Sequence, residues 1–255
     1  MGDPGVVICL GKVKSEGRCC NSDPHEKGNR SIIIIADERR IYNMGLPIIV
    51  LGQSGSGKTM GIRNMDKKHT VVFQVEKQRF PFRDTFPMTV KNATYSHINM
   101  IFRQISNGER PDIKTVVIDD SQYLIVNEFF DKATEKGYDK FTSIALNFRN
   151  LIHWVNAGLP EDVTVYFLHH TQIDEYGRTK AKTIGKLLDE KLTVEGCFDI
   201  VLMTEHNQDG FWFRTKGTEG DPVKTPVDMF TDELIPNDLA MVDRTVREYY
   251  GMEAV

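Results

Sequence analysis

The sequence predicts a single α/β domain with a mostly parallel central sheet and helices on both faces. Three observations lead there. From Ser31 onward, short β-branched runs alternate with segments of helical period, the order that builds parallel strands joined by crossover helices. The runs are apolar at nearly every position, as strands covered on both sides are. The chain has 255 residues and is 40% hydrophobic, enough to bury one large core.

Residues 1–30 stand apart. They are rich in glycine, polar and charged residues around one apolar patch, "GVVICL", and predict a poorly structured extension preceding a domain over residues 31–255. Three of the four cysteines, Cys9, Cys19 and Cys20, fall here, and Cys197 lies far away. A zinc site from these three and His25 can be drawn, but the paired CxxC spacing is missing. Reduced thiols in a cytoplasmic setting are the expectation. No run approaches the ~20 apolar residues that span a bilayer, and the N-terminus lacks a signal-peptide core, so no membrane association is expected. The formal net charge of −4 excludes a globally basic protein, so any nucleic-acid contact must come from a local patch.

The strands expected in order are "SIIIIA", "PIIVL", "TVVFQV", "TVVID", "VTVYFL", "DIVLM" and "GFWFRT". Helices are expected from Gly57, then over "SHINMIFRQI", "SQYLIVNEFF", "FTSIALNFRNLIHWV" and "NDLAMVDRTVREYY". In the fourth, Ile144, Phe148, Leu151, Ile152 and Val155 recur at helical spacing and mark the face that packs on the sheet. Trp154 is expected on that packing face or its rim.

The run "PIIVL" leads into Gly52, Gln53, Ser54, Gly55, Ser56, Gly57, Lys58 and Thr59, a full match to GxxxxGK followed by Ser or Thr, with a strand before it and a helix expected after it. Backbone N–H groups of such a loop cradle a β-phosphate, and a helix N-terminus behind it would add a favourable dipole. Lys58 would reach the β- and γ-phosphates and Thr59 would ligate Mg²⁺. The expected ligands are therefore ATP and Mg²⁺. "TVVIDD" supplies the second acid: Asp119 would hold the metal through water, or Asp120 if the register shifts by one.

Other phosphate-loop machines fit less well. Guanine-specific proteins carry NKxD, which does not occur here. A small-molecule kinase would need an arginine-rich lid, and the stretch 171–186 has only Arg178. An AAA+ machine places a catalytic acid right after the metal-holding Asp, a place Asp120 could fill, but the 39 residues after Lys216 are few for a lid domain of its own. Glu76 ends the strand after the loop, where a carboxylate can orient and deprotonate water.

Taken together, "GQSGSGKT", "VVFQVE", "VVIDDSQYL", "VYFLHHTQ" and "FRTKG" in that order resemble the RecA-type P-loop ATPase core over about residues 45–225. The chain looks most like the short, RecA-core-only ATPases of bacteriophages linked to recombination and single-strand annealing. The resemblance implies a catalytic role for Glu76 and a γ-phosphate-sensing role for His170, with His169 its rival. It also implies that Arg214 and Lys216 act as fingers on a neighbouring subunit's nucleotide, which requires a homo-oligomer, a filament or a ring. Histidine at the sensor place departs from the cellular recombinases, and no accessory C-terminal domain like theirs is expected.

Single-stranded DNA is the expected partner, with a single-strand-binding protein as a possible second one, in the cytoplasm of an infected bacterial host. Two basic, aromatic-bearing stretches suit a single strand, since bases stack while the backbone meets cations. One holds Lys132, Lys136, Tyr138, Lys140 and Phe141. The better one holds Tyr176, Arg178, Lys180, Lys182 and Lys186, with no acid from 178 to 188. A nucleotide-gated scaffold or loader of replication proteins and a small-molecule kinase are the competing expectations.

Overall fold

The computed structural model describes residues 44–184 and 192–255. The strand expected at 31–36, the cysteines and histidine of the N-terminal segment, and Lys186 lie outside them. Nine strands are described: β1 (Leu46–Gly52), β2 (Thr70–Gln74), β3 (Thr89–Lys91), β4 (Thr115–Asp119), β5 (Thr164–Ile173), β6 (Thr179–Ala181), β7 (Ile200–Asn207), β8 (Gly210–Arg214) and β9 (Leu234–Pro236). They form one sheet in the order β3-β2-β4-β5-β1-β7-β8-β9, with β6 paired to β5. The six strands from β3 to β7 run parallel, and β6, β8 and β9 join antiparallel.

Side chains alternate between two cores, which is why the strands read as continuous apolar runs. On one face Ile49, Leu51, Ile118 and Phe167 pack with α1 (Tyr95–Ser106), α2 (Gln122–Asp131) and α3 (Asp139–Gly158). On the other, Ile48, Val50, Val117 and Tyr166 meet Leu239, Val242 and Val246 of the last helix, α4 (Leu239–Tyr250). The five α3 residues at helical spacing are all buried, and Trp154 sits at the rim with its ring 6.0 Å from that of Phe102. Among the described residues, no helix is long and apolar enough to cross a membrane.

One expected helix is not there. The segment after Gly57 forms only a six-residue 3₁₀ turn, Thr59–Asn64. Gly61 lies against the Phe213 ring, where an added Cβ would stand 2.7 Å from Cζ. Soon after, Asp66 Oδ1 accepts from the N–H groups of Lys68 and His69, turning the chain into β2. A turn this short has no appreciable macrodipole, so the dipole expected behind the loop drops out.

At the opposite end of the sheet α4 is pinned by a buried polar network. Asp243 Oδ1 accepts from Thr164 Oγ1 (2.7 Å) and Tyr166 Oη (2.9 Å), and its Oδ2 accepts from Arg247 Nε (2.6 Å). The same guanidinium donates to the carbonyls of Asp162 and Lys114. These bonds tie the helix to the starts of β4 and β5, which holds the strands in register for the site at their other ends.

Candidate functional site

The carboxyl ends of β1, β2, β4 and β5 converge because all four strands are parallel, and the predicted loop, acid and histidine residues cluster at this edge. Gly52 closes β1 and leads into the glycine-rich loop, whose crest (Gln53, Ser54 and Gly55) is exposed. Gly55 and Gly57 take φ of 76° and 96°, a region that side chains rarely occupy. Lys58 turns inward, buried, and donates to the carbonyls of Gly52 (2.9 Å) and Gln53 (2.8 Å). Its ammonium is parked on the loop's own main chain, curled into a ring.

β4 places the two acids differently. Asp119, its last residue, is buried and accepts from Thr59 Oγ1 at 3.0 Å. Asp120 follows at φ 58°, an uncommon conformation for a residue with a side chain and one that accumulates at functional sites. That turn sends its carboxylate to His170 Nε2 (3.1 Å) and Gln78 Nε2 (3.0 Å). Asp119 thus faces Thr59 and Asp120 faces His170.

Burial dominates the charges here. It pushes the Asp119 carboxyl up to about 7, helped by Asp120 and opposed by the Thr59 hydroxyl and Lys58. It likewise pushes Lys58 down to about 8, against the pull of Asp120 and Asp119. Both shifts mark charges held out of water. Among the described residues, no group of three or more His, Cys, Asp or Glu side chains comes together as a metal cage. The pair Thr59 and Asp119 fits Mg²⁺ instead, a hard cation bound by one or two protein oxygens with water and phosphate completing its shell.

The two histidines part company. β5 lies between β1 and β4, so its end faces both the loop and the acids. His169 is fully buried: Nδ1 lies 2.9 Å from Ser121 Oγ, and Nε2 donates to the Lys182 carbonyl at 2.9 Å. His170 points the other way to Asp120, its N–H donates to Gln122 Oε1 (3.2 Å), and the Tyr123 ring stands edge-on at 6.3 Å. Of the two, His170 is the less buried and the one that meets Asp120. Glu76 lies two residues beyond β2, half-buried, and accepts from Asn127 of α2 at 3.3 Å.

β8 ends at Arg214, so Arg214 and Lys216 do not lie together on one strand. The guanidinium of Arg214 is held within the chain by Glu205 and by Asp221 Oδ2 at 3.0 Å. Lys216 donates to the Thr231 carbonyl at 2.9 Å.

The stretch expected as the better DNA loop is a β-hairpin. β5 runs on to Ile173 and pairs with β6, joined by a turn that Asp174 holds by accepting from the N–H groups of Tyr176 and Arg178. Ile173 and Tyr176 are exposed at its tip, and the Arg178 guanidinium lies over the Tyr176 ring at 5.2 Å. Lys180 is on β6 and Lys182 follows it, its N–H donating to the His170 carbonyl at 2.8 Å. In the other stretch, Lys132 is paired with Glu128, and Lys140 lies over the rings of Phe129 and Phe141; Tyr138 is exposed.

Sequence reasoning missed the residues that wall the loop. Thr204 of β7 donates to Ser56 Oγ at 2.7 Å, and Ser56 donates to the Gln53 carbonyl at 2.7 Å. Gly52 has no room for a side chain, since an added Cβ would collide with Thr204 Oγ1. Gln78 and Gln122, which orient Asp120 and His170, were missed too. Polar residues crowding the ends of apolar strands, such as "TEHN" after "DIVLM", were the available signal. Comparison with protein-family models and with curated proteins returns no match.

Proposed function

We propose that this chain is a RecA-type ATPase that binds Mg-ATP on the loop Gly52–Thr59 and couples slow hydrolysis to single-stranded DNA. The observation that carries the reading is the contact of Thr59 Oγ1 with Asp119 at 3.0 Å, beside a buried Lys58 whose ammonium is bonded to two loop carbonyls. Phosphate oxygens would replace those carbonyls, and the lysine charge would then be spent on the β- and γ-phosphates. Mg²⁺, held by Thr59 and Asp119, would neutralise phosphate charge in the transition state.

Glu76 takes the proton of the attacking water in this reading, with His170 reporting the γ-phosphate through the strand that separates the loop from the acids. A second reading, with Asp120 as the base, is favoured by its place: His170 and Gln78 orient it, and its charge acts on Lys58. Turnover by Glu76→Gln and Asp120→Asn separates the two, since loss of the base should cost ~10²-fold or more while sparing nucleotide binding.

The hairpin supports DNA coupling. Its tip joins an exposed tyrosine to an arginine, and its base is bonded to both histidines through Lys182. An oligomer that used Arg214 on a neighbour's nucleotide would first have to free it from Glu205 and Asp221. The deciding experiment is the steady-state ATPase rate with and without single-stranded DNA, on wild type and Lys58→Ala. Stimulation by DNA that the variant lacks supports the reading. A rate indifferent to DNA turns it toward a nucleotide-gated scaffold, and ADP formation that requires a small phosphate acceptor turns it toward a kinase.

A further inference from the structure

Beside the glycine-rich loop stand three residues to which phosphate and cation chemistry gives no work. Phe211, the second residue of β8, is 42% exposed although its ring lies against the loop: a Cβ added to Gly57 would stand 2.9 Å from Cδ1. Opposite it across the β7–β8 hairpin is His206, exposed, with ring centroids 4.4 Å apart and planes 39° from parallel. Beneath them lies Asn237, only 4% exposed, whose Nδ2 would stand 3.1 Å from that same added Cβ. Neither Nδ2 nor Oδ1 of Asn237 has a partner among the described residues. Its position is nevertheless fixed, because its N–H donates to the Phe211 carbonyl (3.3 Å) and its own carbonyl accepts from Arg63 Nη1 (2.7 Å).

A buried carboxamide with both ends unpaired is rare in folded proteins and calls for an explanation. An exposed aromatic pair beside a glycine-rich loop suits a flat heterocycle. Resting on the triphosphate reading of the loop, we propose that Phe211 and His206 form the face on which the nucleobase stacks, with Asn237 packed beneath them against Gly57 and Gly61 as a buried support. Stacking of a base on an aromatic side chain is worth roughly tenfold to a hundredfold in affinity. The absence of a side chain at Gly57 is what lets the ring and the amide come this close to the loop.

Calorimetric titration of Mg-ATP and of Mg-tripolyphosphate, which has the phosphates without a base, tests this. The proteins are wild type, Phe211→Ala, Phe211→Trp and Lys58→Ala, each first checked for an unchanged melting profile. The expected result is that Phe211→Ala weakens ATP about tenfold or more and leaves tripolyphosphate unchanged, while Phe211→Trp retains ATP. Equal weakening of both ligands would make Phe211 a prop for the loop and overturn the proposal, as would no weakening of either. If wild type binds neither ligand, or Lys58→Ala binds both as wild type does, the triphosphate reading itself falls and takes the base seat with it. Tripolyphosphate binding that depends on Lys58 but is indifferent to every change at Phe211, with ATP no tighter than tripolyphosphate, overturns the base seat alone.

Discussion

His169 should make the acid side of the stability curve steep. The ring is fully buried, with Nε2 donating to the Lys182 carbonyl and Nδ1 facing the Ser121 hydroxyl. Burial pushes its pKa down from 6.5 to about 4. A folded-state value below the unfolded one means that the unfolded chain binds the proton more readily. The stabilisation is therefore complete above about pH 6.5 and drains away as the pH falls toward about 4. The full difference is about 3 kcal/mol, since each unit is worth about 1.4 kcal/mol, and about 2 kcal/mol of it should be gone by about pH 5. Urea unfolding of wild type and His169→Gln across this range isolates the term, because every other titrating group is shared. Wild type should lose about 2 kcal/mol more than the variant by about pH 5. Parallel curves would mean that the folded protein protonates His169 as easily as the unfolded chain, and that water reaches the ring.

Three further outcomes are expected. Raising the pH through about 7 should strengthen Mg²⁺-dependent ATP binding, because the Asp119 carboxyl sits near 7 without ligand and must lose its proton to hold the metal; fluorescence titration of Mg²⁺ at fixed ATP reads this, and an affinity flat from about pH 6 to 8 would remove Asp119 from the metal's shell. Thr59→Val should raise the Mg²⁺ concentration needed for ATP binding, since it removes the hydroxyl expected on the metal and the donor that Asp119 now accepts from; an unchanged requirement would show that Thr59 does not touch the cation. Asp243→Ala should cost about 3–5 kcal/mol in urea unfolding, the usual penalty for leaving a buried partner such as Arg247 uncompensated, and a loss under about 1 kcal/mol would mean that water enters and solvates the guanidinium.

The parallel strands and the glycine-rich loop were legible because each depends on neighbours in sequence. "PIIVL" and "TVVID" carry their own burial pattern, and both became strands with nearly the expected bounds. The pairing of Thr59 with Asp119 was legible too, as a consequence of strand ends meeting at one edge. What stayed hidden depends on distant contacts. The turn after the loop stops at Asn64 because Phe213 crowds Gly61 and the chain turns at Asp66, and no local propensity reports that. Three-residue strands such as β3, β6 and β9 are too short to show a period. Asp120 and His170 were named from the sequence, but the left-handed turn that joins them is a tertiary fact.

The short turn behind the loop also bears on how the protein is made. With so little helix to brace it, the loop takes its support from β7 to β9: Thr204, which reaches the Leu51 carbonyl 153 positions earlier in the chain, and Phe211 and Asn237 against Gly57. A ribosome reading this message finishes the loop early and its walls late. Until residues beyond 237 have emerged, the glycine-rich loop has its own internal bonds and Asp119 but none of these walls. If the loop takes a nucleotide, its walls are complete only once residue 237 has left the ribosome, so ligand-assisted folding would wait until β7 to β9 have been made.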